Sequence, residues 1–173
     1  VLTSRDGALW NLEVTPESAT ESILLGVGGT TNLLVAVGNH GQLLTSHNSW
    51  TNVVTQNDLG QAVTNKVNTL GVVWEVADPK PTENDLQGVA ALGEMCVVTG
   101  GKGTVLTTSD GKQWSKHQAP TTGILTSVEA FKGRFVATGE DGVILTSTNG
   151  ADWTVEASGT TEWLYRVRAF DDQ

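Results

Sequence analysis

Short apolar runs recur along the chain, each bounded by glycine or asparagine. A clear example is Phe135–Thr138 followed by Ile144–Ser147, with a G-x-x-G step between them. Runs of four to six residues rich in Val, Leu and Thr are too short for helices and are typical of β-strands. Glycine adopts positive φ at little cost, so the G-x-x-G steps predict tight turns. The pattern predicts an all-β chain.

These runs belong to a repeated unit. Four similar segments read VLTSRDGALW, QLLTSHNSW, TVLTTSDGKQW and VILTSTNGADW. Their aligned leucines are Leu2, Leu44, Leu106 and Leu145, with spacings of 42, 62 and 39 residues. An L-x-x-V motif recurs at Leu24–Val27, Leu86–Val89, Leu125–Val128 and Leu164–Val167, and the first three copies precede a repeated apolar run.

Each unit predicts an antiparallel meander of four strands. In the best copy these are strand A (Leu125–Phe131), strand B (Phe135–Thr138), strand C (Ile144–Ser147) and strand D (around Trp153–Glu156). A four-stranded period of about 40 residues is the size of a propeller blade. We therefore predict a β-propeller of about four repeats, as a partial or small ring, with strand A innermost. A linear β-solenoid is the alternative architecture.

The spacings also predict the boundaries within a single propeller domain or segment, 1–173. The repeats are expected at about 1–22 (strands C and D), 23–56, 86–122, 124–158 and 163–173 (strand A only). The long second spacing predicts an insertion at 55–85, between strand D of one blade and strand A of the next. A strand of its own is expected there at Gly71–Val76.

The two ends of the sequence are out of phase by about one strand B. The chain begins at Val1 with strands C and D and ends with a strand A copy. One interpretation is a segment of a larger ring, and the other is a nearly closed four-blade ring whose ends share a blade. Open blade edges also allow pairing with a second copy, because unpaired strands readily add strands. A homo-oligomer is therefore among the expectations.

The composition and charge of the chain argue against nucleic acid and membranes as partners. The formal net charge is −9, from 10 Lys and Arg against 19 Asp and Glu. Such a chain lacks the basic stripe that a nucleic acid or an anionic membrane requires. No apolar run is long enough to span a bilayer, so no membrane insertion is expected. The single cysteine, Cys96, lies in a predicted strand B and is expected in the core.

The unit FKGRFVATGEDGVILTSTNGADW resembles the repeats of bacterial exported BNR-type, Asp-box-like propellers, which are related to the photosystem II assembly factor (Ycf48-like) propellers. The resemblance implies a secreted protein, at an extracellular, cell-surface or periplasmic location, and a binding or assembly scaffold. In the Asp-box a Ser, an Asp, a Gly and a Trp close the turn between strands C and D. The matching residues are Ser4, Asp6, Gly7 and Trp10; Ser109, Asp110, Gly111 and Trp114; and Ser147, Asn149, Gly150 and Trp153.

The fourth copy, at Ser46, Asn48 and Trp50, lacks the glycine, and the spacing from Asp to Trp is shorter than in the usual box. A carboxylate or amide before glycine accepts N–H bonds of its own turn, so these positions are predicted to be structural. The recurring tryptophans are predicted to pack between blades.

Sialidases carry this class of repeat, so catalysis has to be considered. A sialidase site needs an arginine cluster, a tyrosine nucleophile and an acidic partner. This chain has four arginines and only Tyr165 as a tyrosine. We predict a non-enzymatic protein with no catalytic residues and no cofactor. No metal site is expected, because His40, His47 and His117 lack metal-ligand spacing. A glycan-binding or sialidase-like glycoside hydrolase propeller segment is the alternative.

The meander also predicts which face binds a partner. Because the chain reverses at every turn, the A–B and C–D turns share one face. The B–C turns and D–A connections share the other, which we call the loop face. Binding residues tend to lie on variable loops held by a rigid frame. The predicted partner is a protein, and the candidate residues are Trp74, Trp163, Tyr165, Arg166, His40, Lys102, Glu140 and Asp141.

Overall fold

The structure is a computed structural model and describes residues 1–4, 7–13, 16 and 22–170. It contains sixteen short strands and three 3₁₀ turns. In chain order the first eight strands are β1 (Leu2–Thr3), β2 (Asn11–Leu12), β3 (Leu24–Gly29), β4 (Leu33–Gly38), β5 (Leu43–His47), β6 (Trp50–Gln56), β7 (Ala62–Asn68) and β8 (Glu75–Val76). The remaining strands are β9 (Leu86–Leu92), β10 (Met95–Gly100), β11 (Thr104–Thr108), β12 (Ser115–Gln118), β13 (Leu125–Phe131), β14 (Arg134–Gly139), β15 (Ile144–Ser147) and β16 (Thr154–Glu156). In this described part of the chain, no helix has the length and apolar character to cross a membrane.

The strands form propeller blades, as predicted. Blade 2 has the order β3-β4-β5-β8, blade 3 has β9-β10-β11-β12 and blade 4 has β13-β14-β15-β16, all antiparallel. Blade 1 is represented by the pair β1-β2. Strand A of each blade packs against strand A of the next, β3 on β9 and β9 on β13. The all-β propeller fold and the meander of strands A to D are therefore confirmed.

The core lies between the blades, because strands B and C bury both of their faces. Val97 of β10 packs towards blade 4, in a cluster with Phe135 and Leu145. Its neighbours Cys96 and Val98 pack the opposite way, towards Val35 of blade 2. This two-sided burial explains why strands B and C are continuous apolar runs, where a half-exposed strand would alternate. Burial, with a smaller contribution from Glu94, raises the pKa of the Cys96 thiol to about 11.

The insertion does not lie where the sequence spacing placed it. β6 and β7 form a separate two-stranded hairpin, and strand D of blade 2 is β8, which pairs with β5 through Leu44↔Val76 and Thr45↔Glu75. The inserted hairpin therefore lies inside the C–D turn of blade 2. The expected insertion at 55–85, after strand D, and the expected end of the second repeat at residue 56 are wrong. The hairpin is consequently on the face opposite to the loop face.

Both glycines of each B–C turn are fixed by backbone packing. A Cβ on Gly100 would lie 2.1 Å from the Asp85 carbonyl oxygen, and one on Gly142 would lie 2.0 Å from that of Thr160. Both contacts are far shorter than any Cβ makes. Each D–A connection thus lies directly against the B–C turns of the two blades that it joins, and these contacts hold the loop face together.

Candidate functional site

The inner strands border a cleft of about 580 Å³, which we call the inner-strand cleft. Its walls are the strand A segments of blades 2, 3 and 4, together with residues 163–168, which carry the fifth copy of the strand A motif. A volume of this size is within the range of ligand pockets in proteins. The cleft is therefore a site built from repeated elements of the fold.

Residues 163–168 are held firmly against blade 4. The Leu164 N–H donates to the Gly139 carbonyl oxygen at 3.0 Å. The Thr126 hydroxyl lies 2.6 Å from the Leu164 carbonyl oxygen, and the Val167 N–H donates to the Ser127 hydroxyl oxygen at 3.3 Å. These bonds fix one wall of the cleft through its main chain, so the side chains of the segment are presented from a stable backbone.

An aromatic pair and two arginines give this wall its chemistry. The rings of Trp163 and Tyr165 are 5.6 Å apart between centroids and tilted by 33°. Tyr165 is 70% exposed and Trp163 is 40% exposed. The Arg168 guanidinium binds the Glu129 carboxylate at 3.2 Å, whereas Arg166 has no ion pair or hydrogen-bond partner among the described residues. The wall therefore offers exposed aromatic surface and an available guanidinium.

The charged residues in the lining of the cleft are both basic, although the chain as a whole is acidic. Arg166 and Arg168 are the charged residues in its lining, while the whole sequence carries a formal net charge of −9. No carboxylate lines the cleft among the residues that the structure describes. The arrangement can bind hydrogen-bond acceptors and flat apolar groups, and it holds no acid–base pair in its lining.

Of the predicted binding residues, the structure brings Trp163, Tyr165 and Arg166 together in this cleft. His40 and Lys102 lie in the B–C turns of blades 2 and 3, in the left-handed conformation at φ values of 52° and 55°.

The two acidic candidates lie in the equivalent turn of blade 4. Asp141 has a φ of 57°, and the Glu140 carboxylate accepts the Ile124 N–H at 3.0 Å. None of the four turn residues His40, Lys102, Glu140 and Asp141 is in the lining of the cleft. The bond from the Ile124 N–H to Glu140 lies at the start of strand A of blade 4, so Glu140 has a structural role there.

Trp74 was expected on the loop face, and this expectation is wrong. Its side chain is only 4% exposed, and its indole N–H donates to the Gly71 carbonyl oxygen at 2.9 Å. The Gly71 N–H donates to the Ser46 hydroxyl oxygen at 2.7 Å. Ser46, Gly71 and Trp74 therefore close the C–D turn of blade 2, with the hairpin inserted between them. The sequence pattern predicts Trp50 as the tryptophan of this turn, but Trp50 is 59% exposed at the start of the hairpin, so that prediction is wrong.

The C–D turns of blades 3 and 4 also have a hydroxyl that accepts the glycine N–H and an indole N–H that donates to the glycine carbonyl oxygen, and they add bonds to an Asp or Asn side chain. In blade 3 the Asp110 carboxylate accepts the N–H groups of Lys112 and Gln113 at 2.8 and 2.9 Å. The bonds from Gln113 and Lys112 lower the pKa of Asp110. The hydroxyl that accepts the Gly111 N–H belongs to Thr108, at 2.8 Å, so the assignment of Ser109 to that position is wrong.

In blade 4, Asn149 accepts two N–H bonds in the same way, which agrees with a structural role for these positions. Asp6 of the first copy lies outside the described residues.

The tryptophans of these turns differ in burial according to their neighbours. Trp114 and Trp153 pack against the clusters between blades, as predicted. The indole N–H of Trp10 in blade 1 donates to the Gly7 carbonyl oxygen at 3.1 Å, but the Trp10 side chain is 60% exposed. The prediction of interblade packing thus holds for Trp114 and Trp153 and fails for Trp10 and Trp50.

A second cleft, of about 800 Å³, separates β1-β2 from blade 2 and is lined by apolar side chains that include Leu2, Leu24 and Leu34. In blades 2 to 4, strand B flanks strand C on the inner side, and strand A lies beyond strand B. The second cleft lies between β1-β2 and blade 2, and we assign no ligand to it.

The comparisons with known proteins agree with the fold. The DUF6242 beta propeller domain matches residues 71–171. A solved structure described as YCF48 bound to D1 peptide is similar over 81% of this chain, with a TM-score of 0.58 and 15% sequence identity. The aligned region spans 43% of that chain, so this chain corresponds to less than half of its length. No curated protein matches the sequence.

Proposed function

The chain belongs to the DUF6242 β-propeller family, and we propose that it is a non-catalytic binding or assembly module that holds a segment of a partner protein in the inner-strand cleft. One observation carries the proposal: the exposed Trp163–Tyr165 pair and the unpaired Arg166 share one cleft whose walls are fixed inner strands. Trp, Tyr and Arg are the residues enriched at the energetic centres of protein interfaces.

The rigidity of the site supports binding without a large rearrangement. The inner strands are anchored by packing between blades, and residues 163–168 are bonded to blade 4 through Gly139, Thr126 and Ser127. A preformed site loses little conformational entropy when a ligand enters. The similar fold of YCF48, whose structure is described with a bound D1 peptide, supports a peptide segment as the type of ligand.

A glycan is the second candidate, and the exposed aromatic pair is the observation that favours it. An aromatic side chain beside arginines is also suited to a sugar ring that carries a carboxylate. Hydrolysis would additionally need an acid or base within reach of the bound sugar. The Glu129 carboxylate is bound by Arg168, and Glu129 is not in the cleft lining.

The test is a binding measurement with matched variants. Peptides selected from a random display library on the intact chain are titrated by calorimetry against the wild type, Trp163→Ala and Arg166→Ala. Truncation of a residue at the centre of an interface commonly costs 2 kcal/mol or more, so each variant should weaken binding by about 30-fold. The controls are Trp50→Ala and Arg134→Ala, because both residues are exposed and neither lies in the cleft lining.

The controls should change the affinity by less than about twofold, since surface substitutions away from a site have small effects. Equal weakening by Trp50→Ala and Trp163→Ala would contradict the cleft as the site. A glycan array is read in parallel. Binding of a glycan that Arg166→Ala abolishes, without any peptide binding, would replace the protein segment by the second candidate.

A further inference from the structure

The three inner strands carry the same irregularity at the same place. In β3 the pairing with β4 shifts between Leu24 and Gly26, and in β13 the pairing with β14 shifts between Leu125 and Ser127. In β9 the pairing with β10 passes from Leu86 to Gly88 with a shift of one residue. Each strand therefore has one extra residue, the signature of a β-bulge. The extra residues are Leu25, Gln87 and Thr126.

The residue after each bulge is small because the inner strands approach closely. A Cβ on Gly26 would lie 2.5 Å from the Gln87 carbonyl oxygen. A Cβ on Gly88 would lie 3.0 Å from the main-chain nitrogen of Val128. The equivalent residue of β13 is Ser127, whose hydroxyl accepts the Val167 N–H. The position after the bulge is thus restricted by blade packing, and the bulged position is free to differ from blade to blade.

All three bulged residues line the inner-strand cleft, and Tyr165 occupies the same position of the L-x-x-V motif in the fifth copy. Their side chains differ in chemistry: an alkyl group, a carboxamide, a hydroxyl and a phenol. The Thr126 hydroxyl is already within bonding distance of the Leu164 carbonyl oxygen. Leu25 is 46% exposed, and the Gln87 carboxamide has no hydrogen-bond partner among the described residues. Leu25, Gln87 and Tyr165 are therefore available to a ligand.

We propose that the inner-strand bulges set the specificity of the cleft, with Leu25 and Gln87 as its specificity-determining residues. The inference rests on the proposed function, since it names the chemistry that a bound peptide must have. A carboxamide offers two donors and one acceptor, which match the acceptor and the donors of an Asn or Gln side chain in a ligand. The preferred ligand is a peptide segment with an apolar side chain against Leu25 and an Asn or Gln side chain against Gln87.

Leu25 and Gln87 belong to none of the buried clusters between the blades. Bulges re-aim a side chain without ending the strand, and they are over-represented beside functional sites. Because each blade supplies one such residue from an equivalent backbone position, a substitution there changes the surface of the cleft without touching the interblade core. The expected consequence is a change of ligand preference at unchanged folding.

The experiment is a repeated peptide selection with matched variants. A random peptide library displayed on phage is selected against the wild type, Gln87→Leu and Leu25→Gln. The controls are Gln113→Leu and Leu59→Gln, which make the same exchanges at exposed positions outside the cleft. Gln87→Asn, which keeps the amide and shortens its reach, serves as a second variant in case Gln87→Leu fails to fold, and thermal melting checks each protein.

We expect Gln87→Leu and Gln87→Asn to weaken the wild-type peptide by about tenfold, and selection on Gln87→Leu to change the consensus at one position, from an amide to an apolar residue. Leu25→Gln should change a different position, and both controls should return the wild-type consensus. If Arg166→Ala weakens binding of the selected peptides but substitutions at Leu25 and Gln87 do not change their affinity or consensus, this inference is wrong and the proposed function is still supported. If no peptide is selected on the wild type, both are wrong.

Discussion

The close contact between the D–A connection and the B–C turn allows a quantitative test of the loop face. The perturbation is Gly142→Ala, with Gly133→Ala in the same blade as the matched control. Both glycines have positive φ, at 68° and 78°, so alanine is strained at either position by roughly 1–2 kcal/mol. A Cβ on Gly142 would lie 2.0 Å from the Thr160 carbonyl oxygen, whereas one on Gly133 would meet no atom within 4 Å.

The two variants therefore differ by the steric contact alone. Forcing extra volume into a well-packed site typically costs about 1–3 kcal/mol, and the backbone strain and the effect of alanine on the unfolded chain are common to both variants. Gly142→Ala should lower the free energy of unfolding by about 1–3 kcal/mol more than Gly133→Ala. Urea denaturation followed by tryptophan fluorescence measures both. Equal destabilisation, within about 0.5 kcal/mol, would refute the contact between connection and turn.

Four further outcomes concern the C–D turns and the core. Trp74→Ala should destabilise by about 3–5 kcal/mol in thermal or urea unfolding, because Trp74 is buried, while exposed Trp50→Ala should change stability by less than about 1 kcal/mol. Asp110→Ala should lower stability by about 0.5–2 kcal/mol at neutral pH, and Asp110→Asn by less, since Asn149 makes the same two bonds in blade 4. The turn bonds lower the folded-state pKa of Asp110, so its charge stabilises the fold at pH values above the unfolded-state pKa of about 3.9, and this contribution is lost as pH falls through the folded-state pKa. The stability of the wild type relative to Asp110→Asn should therefore decline in acid. A stability difference that does not change with pH would argue against the turn bonds. Cys96 should resist a thiol reagent in the native protein and react on unfolding, because it is fully buried and its pKa is raised to about 11; rapid labelling of the folded chain would contradict its core position.

The blades themselves were readable from the sequence because their determinants are local. Strand lengths, glycine turns and the L-x-x-V motif recur in the same order in each repeat, and the observed bounds of β13 to β16 follow the predicted strands A to D closely. Two-sided burial between blades also leaves a direct mark on the sequence, since strands B and C are continuously apolar.

The location of the insertion was not readable in the same way. Trp50–Val54 follows strand C and is rich in β-branched residues, so it resembles a strand D. The pairing partner of β5 is decided by a tertiary contact, through Ser46, Gly71 and Trp74, which lie far apart in the sequence. The available signal was the G-x-x-W spacing of Gly71 and Trp74, which equals that of Gly111 and Trp114.

The candidate site was predicted in part. Trp163 was identified as a non-repeat tryptophan at the end of a D–A connection, and Tyr165 and Arg166 as the single tyrosine and the arginine beside it. Leu25 and Gln87 were missed, because the side chain that enters the cleft depends on a bulge in the hydrogen-bond register. Such a shift leaves only a weak trace in the sequence: a position that differs in every repeat beside one that is glycine or serine in three of the four copies.

Hydrogen–deuterium exchange of the chain with and without a selected peptide tests the central claim, that the inner-strand cleft is the binding site, most directly. We predict that the peptide slows exchange in β3, β9 and β13 and in residues 163–168, and leaves the β6-β7 hairpin unchanged. Protection confined to the hairpin or to the C–D turns would place the ligand on the opposite face and contradict the account.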